Sequence, residues 1–294
     1  MTGALREPAA SDTLTAKQFD WISNFVHARC GIQLSGDKQA MAEARLRKRV
    51  KARDLPSLSA YYEYLVTPDG QVEELDHLLD VITTNKTDFF RERRHFEFLT
   101  ATALPALTAS AGARPLQFWS AGCSSGEEPY TLAMVLSEYA AKRPGLQFRV
   151  LGTDLSNDAL DRARTAVYTE AVVEPVPPAL RSKYLMRSKN GDRRYRIVPE
   201  LRMRVELRRL NLMDRDFAIA EPMDAIFCRN VLIYFARSTQ RDLVSRLANR
   251  LRPGGFLFVG HTDSLHGMDL PLTSVSPSVH VKDGRPPRLR VIRR

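Results

Sequence analysis

One stretch of the sequence constrains the fold more than any other: an apolar segment, residues 118–121, runs into a loop of small residues and then into a helical pattern. Gly122 and Gly126 allow the backbone to turn tightly and to approach a ligand closely. Pro129 suits the first turn of a helix, because that position needs no backbone N–H donor. The order of strand, glycine loop and helix is typical of a nucleotide-binding turn in an α/β domain.

Two carboxylates follow the glycine loop and limit the choice of ligand. Glu127 and Glu128 stand at the helix N-terminus, where a diphosphate would require bare backbone donors and positive potential. We therefore expect a cationic ligand. S-adenosylmethionine has an ammonium group, a sulfonium group and no phosphate, so it suits this position. Glycines after a strand most often form only a turn. Other motifs in the sequence are needed to distinguish a simple turn from a ligand-binding loop.

Composition excludes several classes of protein. The chain has 294 residues, of which 44% are hydrophobic and 27% are charged, which fits one large domain or a large and a small one. No apolar run approaches the roughly eighteen residues that span a membrane, and the segment 1–12 has no apolar secretory core, so we expect a cytoplasmic protein. Three scattered cysteines and six histidines show no ligand spacing, which predicts no metal site.

Positive charge points to an acidic partner. The net charge of +10 suits nucleic acid, a lipid surface or an acidic protein. Helical periodicity throughout residues 13–82, after the possible cap Thr15, predicts a small domain of four helices. Its second helix, residues 38–53, has a basic face that is either solvated or a contact for the acidic partner. The side chains of that face are Arg45, Lys48, Arg49 and Arg53.

A polar linker, residues 83–96, connects this domain to the remainder of the chain. The linker ends in a helix that we predict to begin near Phe89. The polar residues before the helix either cap it, or Asn85 and Thr87 hydrogen-bond a ligand. Arg91 would then lie one turn into the helix and point back towards that ligand.

Residues 97–284 alternate strands and helices, which predicts an α/β domain. A second buried strand ends on Asp154, where related folds hold ribose hydroxyls, although Asp154 follows the glycine loop by more than the usual spacing of about 20 residues. Prolines and a hairpin at Asn190-Gly191 interrupt the alternation and predict an inserted β-subdomain at about residues 168–200.

The end of this domain follows the same alternation. The last helix is predicted to end at Pro253-Gly254-Gly255, before a strand at residues 256–260. Apolar alternation over residues 275–281 predicts an edge hairpin with a preceding segment, and residues 285–294 form a basic tail.

Polar residues follow four of the predicted strands. Because ligands of open α/β sheets bind beyond the carboxyl ends of the strands, we expect these loops to face one crevice. The four loops contain Gly122, Glu128, Asp154, Asn211, Leu212, Arg229 and Asn230.

Four motifs resemble those of the CheR-type chemotaxis protein methyltransferases. They are TNKTDFFRE at 84–92, SAGCSSGEEPY at 120–130, NL at 211–212 and FCRNVLIYF at 227–235. The resemblance covers residues from about 15 to 281. It implies an α/β fold: a class I S-adenosylmethionine-dependent methyltransferase domain, Rossmann-like, with a small inserted β-subdomain and a small all-α domain before it. Some members bind a tethering peptide on the β-subdomain, but here the hairpin at 186–198 is short and arginine-rich.

The resemblance also implies an activity and a site. The family methylates glutamates in the cytoplasmic helices of chemoreceptors, so the partner would be an acidic helical domain and the product of the cofactor would be S-adenosylhomocysteine. Arg91 and Tyr234 would flank the transferred methyl group and the substrate. Cofactor contacts would come from Asn85, Thr87, Arg91, Glu128, Asp154, Asn211, Leu212, Arg229 and Asn230, beside the close-approach glycine Gly122.

The chemistry agrees with these residues. A glutamate with a pKa near 4.3 is already ionised at neutral pH, so methyl transfer needs alignment and no general base. Two rival classes remain. A nucleic-acid amino-methyltransferase would show an Asn/Asp-Pro-Pro-aromatic motif where this chain has RNVL at 229–232, and a non-catalytic adaptor would have lost cofactor residues. We predict a monomeric methyltransferase that does not act on nucleic acid.

Overall fold

Two compact units make up the described part of the chain. The computed structural model describes residues 12–284, which divide in sequence between Thr84 and Asn85. Within residues 12–284, no helix is both long enough and apolar enough to cross a membrane. The segment 1–11 and the predicted basic tail at 285–294 lie outside the described residues.

The first unit is all-α, as the sequence predicted. Thr15 caps the first helix: its hydroxyl accepts the Gln18 N–H at 3.3 Å, and the Gln18 side chain accepts the Thr15 N–H at 2.9 Å. Each helix has buried apolar residues on one side, and these form the core. Examples are Ile22, Leu46 and Leu78 on three different helices. The helices are α1 Ala16–Cys30, α2 Gln39–Ala52, α3 Leu58–Leu65 and α4 Pro68–Ile82, with a 3₁₀ turn at Gly36–Lys38.

The basic face of α2 packs against α4. Arg49 Nε lies 2.5 Å from Glu74 Oε1, and Arg53 Nε lies 3.0 Å from Glu74 Oε2. Arg45 Nη1 donates to the carbonyl of Ile82, at the end of α4, at 2.5 Å. The sequence pattern did not predict these partners within the chain, and a contact of this face with an acidic protein stays a prediction. The physical reason for the pairing of Arg49 and Arg53 is that Glu74 is fully buried, and a buried carboxylate without a partner is costly.

The second unit is built around a seven-stranded sheet and a three-stranded sheet. The strands are β1 Leu116–Ala121, β2 Phe148–Asp154, β3 Val167–Thr169, β4 Leu185–Arg187, β5 Arg194–Ile197, β6 Val205–Arg209, β7 Met223–Cys228, β8 Leu251–Val259, β9 Leu272–Ser276 and β10 Val279–Lys282. The large sheet has the order β6-β2-β1-β7-β8-β10-β9. Its first five strands run parallel, and β10 runs antiparallel to β8 and β9. This confirms the predicted α/β class. An edge hairpin is present, but its turn lies inside the predicted segment 275–281, because β9 ends at Ser276 and β10 begins at Val279.

Helices join these strands and cover the sheet. They are α5 Arg93–Phe98, α6 Leu104–Ala111, α7 Glu127–Ala141, α8 Asn157–Thr165, α9 Glu170–Val173, α10 Pro178–Tyr184, α11 Pro199–Arg202 and α12 Arg237–Arg250, with a π-helical segment at Leu99–Ala103 and a 3₁₀ turn at Leu232–Tyr234. Strands β1 and β7 are buried along their whole length, as expected for parallel strands with both faces covered.

The three-stranded sheet, in the order β3-β5-β4, is the predicted inserted β-subdomain. Its strands pair antiparallel, and the hairpin between β4 and β5 turns at Asn190-Gly191. Gly191 has a φ of 74°, which a glycine adopts without steric cost.

Two predicted element boundaries were wrong. The helix expected near Phe89 begins at Arg93, because Phe90 and Glu92 both have a left-handed φ of 55°. Phe89 is buried, and its ring contacts Tyr168 edge-on with centroids 5.0 Å apart. Tertiary packing therefore overrides the local helical pattern, and Arg91 lies in a turn before the helix.

The second wrong boundary concerns the last helix. Helix α12 ends at Arg250, and β8 starts at Leu251, so Pro253-Gly254-Gly255 lie inside the strand. The pairing of β7 with β8 shifts register between Met223 and Ala225. Such an irregularity accommodates proline and glycine within a sheet.

Candidate active site

The predicted site residues lie at or near the carboxyl ends of four neighbouring strands. Strands β6, β2, β1 and β7 are adjacent and parallel, so the loops that follow them open on the same edge of the sheet. These loops contain Asn211 and Leu212, Asp154, Gly122 to Glu128, and Arg229 to Tyr234. The structure therefore brings together in one unit the residues that the sequence placed at strand ends.

The glycine loop after β1 requires both of its glycines. Gly122 has a φ of 80°, and a Cβ there would lie 2.6 Å from Val231 Cγ2. Gly126 has a φ of 97°, and a Cβ there would lie 2.9 Å from Ala163 Cβ. The Gly122 and Cys123 N–H groups donate to the Thr153 carbonyl at 2.8 and 2.9 Å, which ties the loop to the end of β2.

Asp154 holds this loop from the neighbouring strand. Its carboxylate accepts the Ser124 N–H at 2.7 Å and the Ser156 N–H at 2.9 Å. The Ser124 hydroxyl donates to the Asn85 carbonyl at 2.9 Å, and Asn85 Nδ2 lies 3.4 Å from Ser156 Oγ. Asp154 and Asn85, far apart in sequence, therefore meet at the ends of β1 and β2.

The two glutamates at the start of α7 differ in their surroundings. Glu128 accepts hydrogen bonds from Ser120 Oγ and Arg229 Nε, both at 2.6 Å. Its charge is thus paired with Arg229 inside the protein, and a contact of Glu128 with the cofactor stays a prediction. Glu127 accepts from Ser125 Oγ at 2.8 Å, and burial raises its pKa to about 6. A cationic ligand beside Glu127 would favour its ionised form.

Arg229 connects three parts of the site. In addition to the bond to Glu128, its Nη1 donates to the Arg91 carbonyl at 2.7 Å and lies 3.2 Å from His95 Nδ1. Arg229 is only 7% exposed, and its guanidinium lies 5.3 Å from the Phe96 ring centroid. This buried cation therefore fixes the segment that contains Arg91 against the ends of β7 and α7.

Asn230 adopts an unusual backbone conformation, with a φ of 57°. Its Nδ2 donates to Glu92 Oε1 at 3.2 Å, and the same oxygen accepts the His261 N–H at 3.2 Å. The Asn230 N–H donates to Asp263 Oδ2 at 2.7 Å. Two carboxylates thus hold the residue that follows Arg229.

Sequence reasoning missed Glu92, His95, His261 and Asp263 as parts of this region. Glu92 stands inside the motif at 84–92, so a signal for it was present. His261 and Asp263 follow β8, and nothing in their spacing distinguishes them. Burial and the Arg229 cation lower the pKa of His95 to about 4, so its imidazole is neutral at pH 7.

Glu92, His95 and His261 also form the one group of potential metal ligands found among residues 12–284. Arg229 Nη1 lies 3.6 Å from Glu92 Oε2 as well as 3.2 Å from His95 Nδ1. A fixed positive charge is already next to these ligand atoms, and it disfavours a second cation there.

The other predicted site residues also line these loops. Arg91 Nη1 donates to the Lys86 carbonyl at 3.0 Å, and its side chain is half-buried. Asn211 Oδ1 accepts the Met213 N–H at 3.0 Å. Thr87 is half-buried, Leu212 is buried, and Tyr234 lies half-buried in the 3₁₀ turn.

The cysteines of this unit do not offer a nucleophile. Cys123 and Cys228 are fully enclosed, and burial raises the pKa of each thiol well above its ordinary value. The reactive form of cysteine is the thiolate, so these side chains are inert packing residues.

Comparison with known proteins places the chain in a family. Residues 17–83 match the all-alpha domain of CheR methyltransferase, and residues 85–280 match its SAM binding domain. The chain is 34% identical to a chemotaxis protein methyltransferase of Borreliella burgdorferi, over 92% of this chain and 95% of that protein. It is 35% identical to chemotaxis protein methyltransferase 1 of Pseudomonas aeruginosa, over 85% and 91% of the two chains, and 32% identical to the Escherichia coli chemotaxis protein methyltransferase, over 91% of each. The chain therefore belongs to the CheR methyltransferase family.

Proposed function

We propose that this protein transfers a methyl group from S-adenosylmethionine to glutamate side chains in the cytoplasmic helices of chemoreceptors. The products would be glutamate γ-methyl esters and S-adenosylhomocysteine. The protein would act as a monomer in the cytoplasm, with the acidic receptor domain as its partner. The observation that carries the proposal is the match of both CheR family models, over residues 17–83 and 85–280. The three relatives are chemotaxis protein methyltransferases, which supports a chemoreceptor as the substrate.

The residues present fit this cofactor. Gly122 and Gly126, both at positive φ, let the loop after β1 turn tightly at the carboxyl ends of the strands, and Asp154 ends the second strand, where an acid binds ribose hydroxyls in related folds. The buried Glu127 carboxylate adds negative potential, which suits an ammonium or sulfonium group better than a phosphate. When bound, S-adenosylmethionine supplies an electrophilic methyl group on a positively charged sulfur.

The chain's own residues then have to position the acceptor. The glutamate substrate is ionised at neutral pH, and the enclosed thiols Cys123 and Cys228 fit a reaction without a protein nucleophile. Arg91 would bind the carboxylate and orient it, and Tyr234, in the 3₁₀ turn after β7, would flank the transferred methyl group. Holding reactants in a near-attack geometry can lower a barrier by roughly 7–11 kcal/mol. Excess binding of the carboxylate would slow the reaction, because its charge is lost as the ester forms.

A methylation assay tests this proposal directly. We expect labelled methyl groups from S-adenosylmethionine to enter a purified chemoreceptor cytoplasmic fragment and to leave as methanol in alkali. Alkali lability identifies an ester, because N-methyl groups are stable under these conditions. Label that enters RNA or DNA and not receptor fragments would favour a nucleic-acid methyltransferase. Binding of the cofactor without transfer to any acceptor would favour a signalling adaptor.

Replacement of Asp154 by alanine should weaken binding of S-adenosylmethionine and S-adenosylhomocysteine about ten- to hundredfold. A hydrogen bond to a charged acceptor contributes roughly 1.5–3 kcal/mol, and this variant also releases the Ser124 and Ser156 N–H groups. Titration calorimetry measures the affinities, and circular dichroism checks the fold. Asp158→Ala, an exposed acid in the first turn of α8, is the control. Unchanged affinity in a folded Asp154→Ala protein would remove Asp154 from the cofactor site.

Substitution of a paired cation on α2 and substitution of an exposed one should have different effects on stability and on receptor binding. Arg49→Ala leaves the buried Glu74 with one arginine fewer, so we expect a clear fall in the thermal midpoint of unfolding. Lys48 is exposed, so Lys48→Ala should leave the midpoint unchanged and raise KM for an acidic receptor fragment modestly, since an exposed charge pair contributes about 0–1 kcal/mol. The increase should shrink at high salt. If the KM of Lys48→Ala equals that of the wild type at every salt concentration, Lys48 is only a solvated residue.

A further inference from the structure

The turn after β8 connects the exits of two neighbouring strands. Asp263 Oδ2 accepts the Asn230 N–H at 2.7 Å, at the end of β7, and the Gly260 N–H at 2.8 Å, at the end of β8. The Asp263 N–H donates to the Gly260 carbonyl at 2.9 Å, which closes the turn. Asp263 is only 6% exposed. One buried oxygen therefore bridges the two strand exits.

The bridged residue has a conformation that needs support. A left-handed backbone is strained for an L-residue, and asparagine is among the residues that tolerate it best. Asn230 adopts it with a φ of 57°. Its backbone N–H is held by Asp263 and its side chain by Glu92, from different segments of the chain. The native conformation of Asn230 is therefore imposed by two carboxylates.

Gly260 makes this arrangement possible. A Cβ on Gly260 would lie 2.6 Å from the backbone nitrogen of Asn230 and 2.8 Å from Asp263 Oδ2. These distances are too short for any side chain, so the two strand exits can approach only at a glycine. The close approach places the Asp263 carboxylate against the start of the turn that leads from Asn230 to Tyr234.

We propose that Asp263 is a positioning residue for methyl transfer, which fixes Asn230 and the turn that contains Tyr234 in the conformation that binds cofactor and substrate. Asp263 acts through these residues and does not itself contact the reactants. The inference rests on the proposed function, because it assigns Asn230 to the cofactor and Tyr234 to the acceptor.

A buried acid at the other end of β7 provides a matched control. Asp224 is fully buried and accepts the Gln117 N–H at 2.8 Å, as Asp263 accepts the Asn230 N–H. Asp224 also pairs with Arg114, at 2.6 Å. It lies at the start of the strand, away from the carboxyl ends that form the crevice. Loss of either carboxylate should lower the stability of the protein, but only loss of Asp263 should weaken ligand binding.

The test compares S-adenosylhomocysteine binding by titration calorimetry in the wild type and in variants, below their melting temperatures. We expect Asp263→Ala to weaken binding at least tenfold and Asp263→Asn to stay within about threefold of the wild type, because an amide oxygen can still accept both N–H groups. Asp224→Asn should bind like the wild type. In methylation assays, Asp263→Ala should raise KM for S-adenosylmethionine and lower kcat together.

Several outcomes would overturn the inference. Wild-type affinity in Asp263→Ala, with a lowered melting temperature, would reduce Asp263 to a stabilising residue. Should Asp263→Ala fail to fold, Asp263→Ser supplies a shorter acceptor that cannot bridge both amides, and its binding should be at least fivefold weaker. Wild-type affinity in the serine variant would contradict the proposal. Failure of the wild type itself to bind S-adenosylhomocysteine would instead refute the proposed function.

Discussion

Replacement of Arg91 by alanine is expected to reduce methylation of a receptor fragment at least a hundredfold at saturating cofactor. The variant would lose the charge-assisted hydrogen bond that we propose between Arg91 and the substrate carboxylate, a contribution of roughly 1.5–3 kcal/mol, and also the alignment of the acceptor with the methyl group. The structure is compatible with this role. Arg91 uses one N–H for the Lys86 carbonyl, and a guanidinium has five N–H donors.

Two further variants define the role of Arg91. Arg91→Lys should restore only part of the activity, because an ammonium group keeps the charge but lacks the planar fork that binds a carboxylate with two hydrogen bonds. Arg94→Ala removes an exposed arginine from the first turn of α5 and should methylate at the wild-type rate. Single-turnover rates with saturating S-adenosylmethionine give the comparison. A wild-type rate for Arg91→Ala would show that the assigned role is wrong.

Loss of Arg229 is expected to damage both stability and cofactor binding. Its buried ion pair with Glu128 has an Nε–Oε2 distance of 2.6 Å, and removal of one partner from such a pair costs about 3–5 kcal/mol because the other charge stays buried. Arg229→Ala also frees the Arg91 carbonyl. We therefore expect a large fall in the free energy of unfolding and loss of measurable S-adenosylhomocysteine binding.

A double-mutant cycle separates these effects. Arg229→Ala and Glu128→Ala should each destabilise more than half as much as the double variant, because each single substitution leaves one unpaired charge. Chemical denaturation measures the free energies. The pair Arg114–Asp224, at the opposite end of β7, is the control: Arg114→Ala should destabilise without a change in cofactor affinity. Strictly additive effects of Arg229→Ala and Glu128→Ala would contradict the coupling described for the buried pair.

Local sequence patterns determined a large part of the fold. The small-residue loop between an apolar strand and an amphipathic helix predicts β1, its turn and α7, because only glycine adopts positive φ at Gly122 and Gly126 without steric cost. The caps Thr15 and Ser156 are likewise readable, since each hydroxyl accepts an N–H three residues further along the chain. The strand ends, and with them the position of the crevice, follow from the same alternation.

The partners of charged side chains were decided by the tertiary structure alone. A periodic pattern reports which face of an element is buried, but not which residue meets it across the core. Arg49 pairs with Glu74 on another helix, and Arg229 pairs with Glu128 across more than a hundred residues. In the sequence Arg49, Arg229 and Glu128 looked available to a ligand or a partner, and nothing distinguished Glu74.

The start of α5 and the carboxylates around Asn230 have the same explanation. The pattern near Phe89 is locally helical, but Phe90 and Glu92 are left-handed. The Phe89 ring packs against Tyr168, and Glu92 accepts hydrogen bonds from Asn230 and His261, all of them distant in sequence. Asp263 has no motif around it. It reaches Asn230 only because β7 and β8 are neighbours in the sheet, so that the ends of the two strands lie side by side. The sequence thus determined the helices and strands and the place of the site. The tertiary structure decided which charged side chains pair with each other within the protein. These pairs depend on strand register and helix packing, which bring residues together only after folding.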